Sequence, residues 1–257
     1  MLSSAGPMAP RKIVVLNPKG GSGKTTLATN LAAWCAAHGG STTLMDYDPQ
    51  GCSTRWLANR PAERPAIYGI PAYRLNLQMT RSWQLRTPPG TRYLVVDTSA
   101  AIPAQRITDY TRGAHALLIP VGPTDIDTHA AAGFISDLLL VAKEHRSDAR
   151  IAVVANRVRQ GTVAHGRLMR FLDTLAIPCL TVLRDSQIYA HAAQQGLGLH
   201  EFKRNQVRRD LEQWAPLLAW VGRRCGPPAE ADTGARSGPA ATPALMDRLA
   251  TADASGS

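Results

Sequence analysis

Three glycines, two lysines and two threonines within ten residues constrain this chain more than anything else in it: Asn17-Pro18-Lys19-Gly20-Gly21-Ser22-Gly23-Lys24-Thr25-Thr26. An apolar run, Ile13-Val14-Val15-Leu16, precedes them, and a helical pattern opening Leu27-Ala28-Thr29-Asn30-Leu31 follows. In that strand–loop–helix setting Gly20, Gly21 and Gly23 permit backbone angles closed to other residues. Successive N–H groups can then converge on a phosphate at the positive end of the helix. Lys24 is spaced to reach terminal phosphates and the Thr25 hydroxyl to ligate Mg²⁺, with Ser22 and Thr26 completing the loop. The usual G-x-x-x-x-G-K-T wording is not met, because proline holds position 18 and Lys19 follows it. A loop lysine is ordinarily just solvated. Beside a bound polyanion, Lys19 becomes a candidate for chemistry.

Apolar runs alternate with helical patterns along the chain, which predicts a parallel sheet flanked by helices. Strands are expected at 41–45, at Tyr93–Val96, at His115–Pro120 and at Ile151–Ala155. Helices are expected over 127–146, 163–174, 187–196 and 206–223. The proline-rich stretch from 60 to 90 reads as a short helix, an edge strand and loops. Residues 1–10 read as a disordered leader, 11–224 as one domain, and 225–257, rich in Ala, Gly, Pro, Ser and Thr, as a disordered tail.

Several carboxylates and one amide fall where such sheets present their ligands, beyond the carboxyl ends of strands. Asp97 ends the strand Tyr93–Val96 and can hold Mg²⁺ through a water, or else cap the next element. Asp46 and Asp48 close the second strand, where Asp48-Pro49-Gln50-Gly51 is also good turn chemistry. Asn156 follows the strand Ile151–Ala155; a side-chain amide there can read an adenine edge or simply hold a loop.

Taken together, Lys19-Gly-Gly-Ser-Gly-Lys24-Thr-Thr, Asp46-Tyr-Asp48-Pro-Gln-Gly51, the strand ending at Asp97 and the segment Leu183–Tyr189 resemble the ParA/MinD family of partition ATPases over about residues 11–222. The resemblance implies a single-domain α/β P-loop NTPase using ATP and Mg²⁺. It implies that Lys19 reaches across a homodimer to the partner's nucleotide, like an arginine finger supplied in trans. It further implies that Asp48 orients or activates the attacking water, that Asp46 supports the Mg²⁺ waters, and that Asn156 reads the base. The switch segment departs from the family's Asp-Thr-Pro, reading Asp97-Thr98-Ser99 here. Dimerisation would gate hydrolysis, and a cargo adaptor would stimulate it. The cargo could be a plasmid, a chromosome or a protein organelle; the loop wording and the compact chain resemble the carboxysome-positioning members.

Net charge is +10 with a pI near 10.0. From residue 225 onward Arg236 and Arg248 stand against Glu230, Asp232, Asp247 and Asp253, so residues 1–224 carry +12. A body this basic points to a polyanion. Arg150, Arg157, Arg159, Arg167 and Arg170 run without an acid between them, and Lys203, Arg204, Arg208 and Arg209 form a second cluster. Of these, Arg167, Arg170, Lys203, Arg204, Arg208 and Arg209 are the candidate contacts to non-specific DNA, since no base-reading motif is present. About five neutralised phosphates would give a slope near −4.5 in log K against log salt. The expected setting is therefore cytoplasmic and nucleoid-associated, without a membrane partner. A membrane-associated MinD-like regulator is the alternative, but Ala244–Ala250 is short and weakly basic for an amphipathic anchor. A tyrosine kinase with a tyrosine-rich tail is disfavoured because Tyr189 is the last tyrosine. Cys35, Cys52, Cys179 and Cys225 are scattered, which speaks against a zinc site, a disulfide framework or a shared metal cluster.

Overall fold

Continuous apolar runs suit strands covered on both faces, and that is how they fold here. In the computed structural model the described residues are 9–74, 80, 85–100, 102–140 and 150–226. They form a sheet of seven parallel strands: β1 (Arg11–Val15), β2 (Thr42–Asp46), β3 (Ile67–Pro71), β4 (Tyr93–Asp97), β5 (Ala114–Val121), β6 (Ile151–Val158) and β7 (Cys179–Arg184), in the order β3-β2-β4-β1-β5-β6-β7. Alternate residues feed opposite cores. Ile13, Val15, Leu44 and Val95 point to one, Val14, Met45 and Val96 to the other.

The first core is covered by α1 (Lys24–Ala37), α2 (Cys52–Ala58), α6 (Ile188–Gln194) and α7 (Arg204–Cys225), through side chains such as Leu27, Trp56, Ala192 and Trp214. The second lies under α3 (Ile107–Thr111), α4 (Asp125–Leu140) and α5 (Val163–Thr174), through Ile107, Phe134 and Leu168. This is the α/β sheet flanked by helices that the alternating pattern predicts.

The differences are local. β7 is a half-buried edge strand, so it lacks the apolar run that marks its neighbours. The expected edge strand in 60–90 is β3; of the stretch where the short helix is expected, 75–79 and 81–84 lie outside the described residues, and α2 is a helix the pattern did not mark. α4 begins at Asp125, and 141–149, where its expected end falls, lie outside the described residues. So do residues 1–8 of the expected leader and 227–257 of the expected tail.

One buried ion pair ties the two ends of the first core together. Arg60, just beyond α2, makes two bonds to Glu201, at 2.9 and 2.7 Å, with the side chains only 6% and 3% exposed. Arg60 also donates to Gly196 O, and Glu201 accepts from Gly198 N. Trp56 Nε1 to Leu197 O and Arg64 Nη2 to Glu201 O add to the same seam. Removing one partner strands the other charge in a dry site. Glu201→Ala is therefore expected to cost about 3–5 kcal/mol in urea unfolding, far more than removal of an exposed pair.

Candidate functional site

The glycine-rich loop is built by its neighbours. Asn17, 1% exposed, donates to Pro120 O at 2.7 Å and accepts from Lys19 N at 2.8 Å, which pins where the loop leaves β1. Gly23 has φ of +95°, and a β-carbon there would stand 2.0 Å from Asn156 Nδ2. Only glycine meets both demands. Asn156 Nδ2 donates to Ser22 O at 2.8 Å, so the amide at the end of the Ile151–Ala155 run lies beneath the loop and holds it. Of the two roles open to Asn156, loop support is the one on display, with the residue 4% exposed. Gly21 is also left-handed, at +75°, whereas Gly20 is not. The expectation that all three glycines serve by unusual angles is corrected to two.

A cavity of about 460 Å³ opens over this loop. Gly20, Lys24, Thr25 and Asp48 line one end; Asn156, Arg157, Gln187 and Tyr189 line the other. Lys24 Nζ donates to Lys19 O at 3.1 Å. Burial lowers the pKa of Lys24, and the carboxylates Asp97 and Asp48 oppose that shift. Asp46 and Asp97 end adjacent strands in direct register.

The two carboxylates differ in what they have left to give. Asp46 accepts from Asp48 N at 3.0 Å and from Thr54 N and Oγ1, both at 2.9 Å, so it folds the following turn and holds α2. Burial raises its pKa, and those hydrogen bonds work against the rise. Asp97 is fully buried; its Oδ2 accepts from Ser53 Oγ at 2.6 Å while Oδ1 has no hydrogen-bond partner. Burial pushes its pKa up to about 7, against the hydroxyls of Ser53 and Thr25. A buried acceptor atom without a donor, next to a threonine hydroxyl, is what a hard cation such as Mg²⁺ takes. Thr25 and Asp97 would hold it, with Asp46 behind. Asp48 lies in the turn, its Oδ1 accepting from Gln50 N at 2.9 Å, and it still lines the cavity. Turn and site coexist here.

Lys19 is not among the residues lining its own chain's cavity. Its Nζ instead meets Asp127 Oδ1 at 2.8 Å. Asp127 also takes the Thr124 hydroxyl at 2.6 Å in the first turn of α4. Burial would raise the Asp127 pKa, but the bonds from Lys19 and Thr124 prevail and hold it below the usual carboxylate range. Thr124 and Asp127 exchange the reciprocal bonds of a helix cap; the meeting of Asp127 with Lys19 is a tertiary contact. Ser53 has no sequence signal, while Arg157 and Arg184 are marked only as part of the arginine run and of the Leu183–Tyr189 segment, with no hint of their partners. Arg157 has φ of +58° and donates to Gly21 O at 3.2 Å. Arg184 makes bonds of 2.8 and 2.7 Å to the fully buried Asp210 of α7, and Tyr189 OH takes Trp214 Nε1 at 3.1 Å.

The basic residues disperse more than their spacing suggests. Arg150 starts β6 at the far edge of the sheet. Arg157 and Arg159 turn toward Asp185. Arg167, which faces Asp125 at 3.8 Å, and Arg170 are exposed on α5. Lys203, Arg204, Arg208 and Arg209 are exposed at the start of α7, where Arg209 reaches Gln160 in the loop leading to α5.

The state of Asp97 has a consequence for stability. Its folded pKa of about 7 lies above the roughly 3.9 of an unfolded aspartate, so between those values the folded chain holds the extra proton. Stability of the ligand-free protein must then fall as pH rises through that window. Asp97→Asn removes the penalty. It is expected to stabilise the ligand-free protein by roughly 2–4 kcal/mol at about pH 8, the gain vanishing near pH 4. Urea titrations at the two pH values measure this directly.

Comparison with known proteins agrees with this geometry. Residues 13–199 match the model of the CobQ/CobB/MinD/ParA nucleotide-binding domain. The maintenance of carboxysome distribution protein A of Gloeobacter kilaueensis is 31% identical over 204 residues, 77% of this chain and 88% of that protein. The chromosome-partitioning ATPase Soj of Thermus thermophilus is 54% identical over a shorter stretch of 54 residues, 21% of each chain. Among solved structures, an ATP complex of McdA from Cyanothece superposes with a TM-score of 0.61 at 17% identity, covering 85% of this chain and 97% of that one. MinD in the MinC:MinD complex of Aquifex aeolicus gives 0.63 at 17% identity, covering 89% and 100%. The chain belongs to the CobQ/CobB/MinD/ParA family of nucleotide-binding proteins, on its ParA-like side.

Proposed function

We propose that this protein is a Mg²⁺-dependent ATPase of ParA type that dimerises around ATP, binds DNA non-specifically and positions an intracellular cargo in the cytoplasm. The observation that carries the reading is the disposition of the two loop lysines. Lys24 lies in the chain's own cavity, while Lys19 stands outside it, held by Asp127 at the rim. An ammonium that does not serve its own phosphate site is placed to serve a neighbour's.

In this reading the loop N–H groups of Gly20, Gly21, Ser22, Gly23, Thr25 and Thr26 cradle the phosphates, and Lys24 meets the terminal ones. Mg²⁺, when bound, spreads the charge of the phosphate oxygens. Thr25 and Asp97 hold its place, and Asp46 keeps the surrounding turn in shape. Asp48 orients the attacking water. Asn156 and Arg157 form the end of the cavity that takes the base. The partner's Lys19 brings the last positive charge to the transferring phosphoryl group, so chemistry waits for the dimer. The relative from Gloeobacter, matched over 88% of its length and named for carboxysome distribution, favours that organelle as the cargo. An adaptor on the cargo would stimulate hydrolysis.

DNA binding rests on the exposed basic side chains of α5 and the start of α7. Two such surfaces joined in a dimer raise avidity through effective concentration. ATP would thereby set residence on the nucleoid.

Light scattering tests the central step. Wild-type protein is expected to double its mass with ATP and Mg²⁺. Lys19→Ala should bind ATP yet stay a single chain, and Lys24→Ala should fail to bind it. Asp48→Ala is expected to hold the ATP dimer without turnover; a single chain in that variant at saturating ATP would sink the reading. Asp127→Asn keeps the helix cap but frees Lys19. It is expected to lower the ATP concentration for half-maximal dimerisation by roughly 3–10-fold, or about 1 kcal/mol for a half-exposed pair.

A further inference from the structure

The edge of the sheet opposite the cavity carries a charge pattern that the nucleotide site does not use. Each of the four central strands starts from a cation. Arg11 and Lys12 open β1, Arg92 precedes β4, Arg112 precedes β5 and Arg150 precedes β6. The backbone stitches these starts together: Arg11 N donates to Arg92 O at 2.8 Å, Lys12 Nζ to Arg112 O at 3.0 Å, and Arg150 Nη1 to Ala114 O at 3.0 Å. α7 ends here too, its Cys225 beside Arg11, and so adds Arg223 and Arg224 in its last turn.

Like charges this close repel, and the titratable members register it. Burial and then Arg112 lower the pKa of Lys12; burial, then Arg11 and Arg150, lower that of His115. No described carboxylate pairs with Arg11, Lys12 or Arg112, while the nearby Asp109 is taken by Arg106. Arg92 and Arg150 have further contacts of their own. Repulsion among Arg11, Lys12 and Arg112, retained on a rigid frame, suits an anionic partner that relieves it. Arginines predominate, and their forked donors fit phosphate oxygens. A lipid surface would call for apolar anchors among them. The large exposed apolar side chains among the described residues are Tyr68, Ile126, Leu140 and Val163, none of them on these strand starts.

We propose that this rim is a second phosphate-binding surface for duplex DNA, distinct from the α5 and α7 clusters. It rests on the reading of the protein as a DNA-binding ATPase. Unlike those clusters it stands on the starts of strands and contains none of the loop, turn or helix segments that surround the nucleotide. A strand of five residues sets it about 17 Å from the cavity edge. Its contribution is therefore independent of ATP.

Fluorescence anisotropy with a short labelled duplex, without nucleotide and with ATP, tests this through the salt dependence. Each phosphate contact contributes about 0.9 to the slope of log K against log salt. The double variant Arg11→Ala/Arg112→Ala is expected to flatten the slope by about 1.8 for each chain whose rim engages the duplex, with or without ATP. Arg11→Lys/Arg112→Lys should keep it, and melting curves establish that each variant is folded. An unchanged slope in the folded alanine variant, with wild type binding and Arg208→Ala/Arg209→Ala flattened, overturns the rim alone. Failure of the wild-type protein to bind duplex in either condition overturns the rim and the DNA-binding reading together. Tight binding to phosphatidylserine vesicles that the rim variant loses, with no loss on DNA, also overturns it.

Discussion

A left-handed turn at Gly23, laid directly on the side chain of Asn156, is the contact on which the rest of the site depends. The loop could not drop onto β6 with any side chain at that position, because a β-carbon would coincide with the asparagine amide. Once there, Ser22 O finds its donor in Asn156, and α1 begins at Lys24 with its first N–H groups directed over the sheet edge. The aim of Lys24, the closeness of Thr25 to Asp97 and the shape of the cavity all follow from that seating. Asn17 fixes the other end of the loop against β5. The phosphate cradle is thus anchored to β5 and β6 as well as to its own strand, which is why a short flexible-looking sequence can be rigid.

The acidic side is built on a different principle. Asp46 and Asp97 sit level on neighbouring strands, and two buried carboxylates so placed would be costly without donors. Asp46 has three, all from the turn and helix that follow it. Asp97 has Ser53 from α2 and one oxygen left over. α2 therefore hangs from the two carboxylates at its start and from the Arg60–Glu201 pair beyond its end. The seam continues through Gly196 and Leu197 to the short turn before α7. From the base end of the cavity a second connection runs through Arg184 to Asp210 and through Tyr189 to Trp214. Both routes reach the helix whose outer face carries Arg204, Arg208 and Arg209. The nucleotide pocket and the basic face are separated by one layer of bonded side chains.

How much of this is legible in the sequence depends on the reach of each interaction. The strands are legible because a strand buried on both faces must be apolar along its length, as Val95 and Val96 are. β7 escapes because an edge strand need not be. The cradle, Asp48 and Asp97 are legible because they follow strand ends at short separations. Asn156 is visible as a candidate, but its bond to Ser22 joins residues 134 positions apart, and spacing gives no hint of which partner an amide takes. Asp127 belongs to no motif singled out in the sequence; only the folded sheet brings it to Lys19. The run of five arginines from 150 to 170 misleads in the opposite way. A β-strand carries Arg150 and Arg157 to opposite ends of the sheet, so a linear cluster becomes two surfaces.

In the dimer proposed above, the pairing of Lys19 with Asp127 would let a chain carry a second phosphate-seeking ammonium without turning it on its own nucleotide. The pair is partly exposed, so its strength is modest, well below that of the buried Arg60–Glu201 pair. A modest bond is what a resting position needs. It keeps the ammonium at the rim, away from the chain's own Lys24, whose charge would repel it. In the proposed dimer it would yield when a neighbour offers several phosphate charges at once. Had Asp127 no donor besides Lys19, losing it would strand a buried carboxylate, and Lys19 would be fixed in place; its bonds from Thr124 N and Oγ1 prevent that. Had the position held no carboxylate, a flexible loop lysine would spend its time in solvent or over its own cavity. A buried capping aspartate that is already satisfied by Thr124, paired with a partly exposed lysine, avoids both.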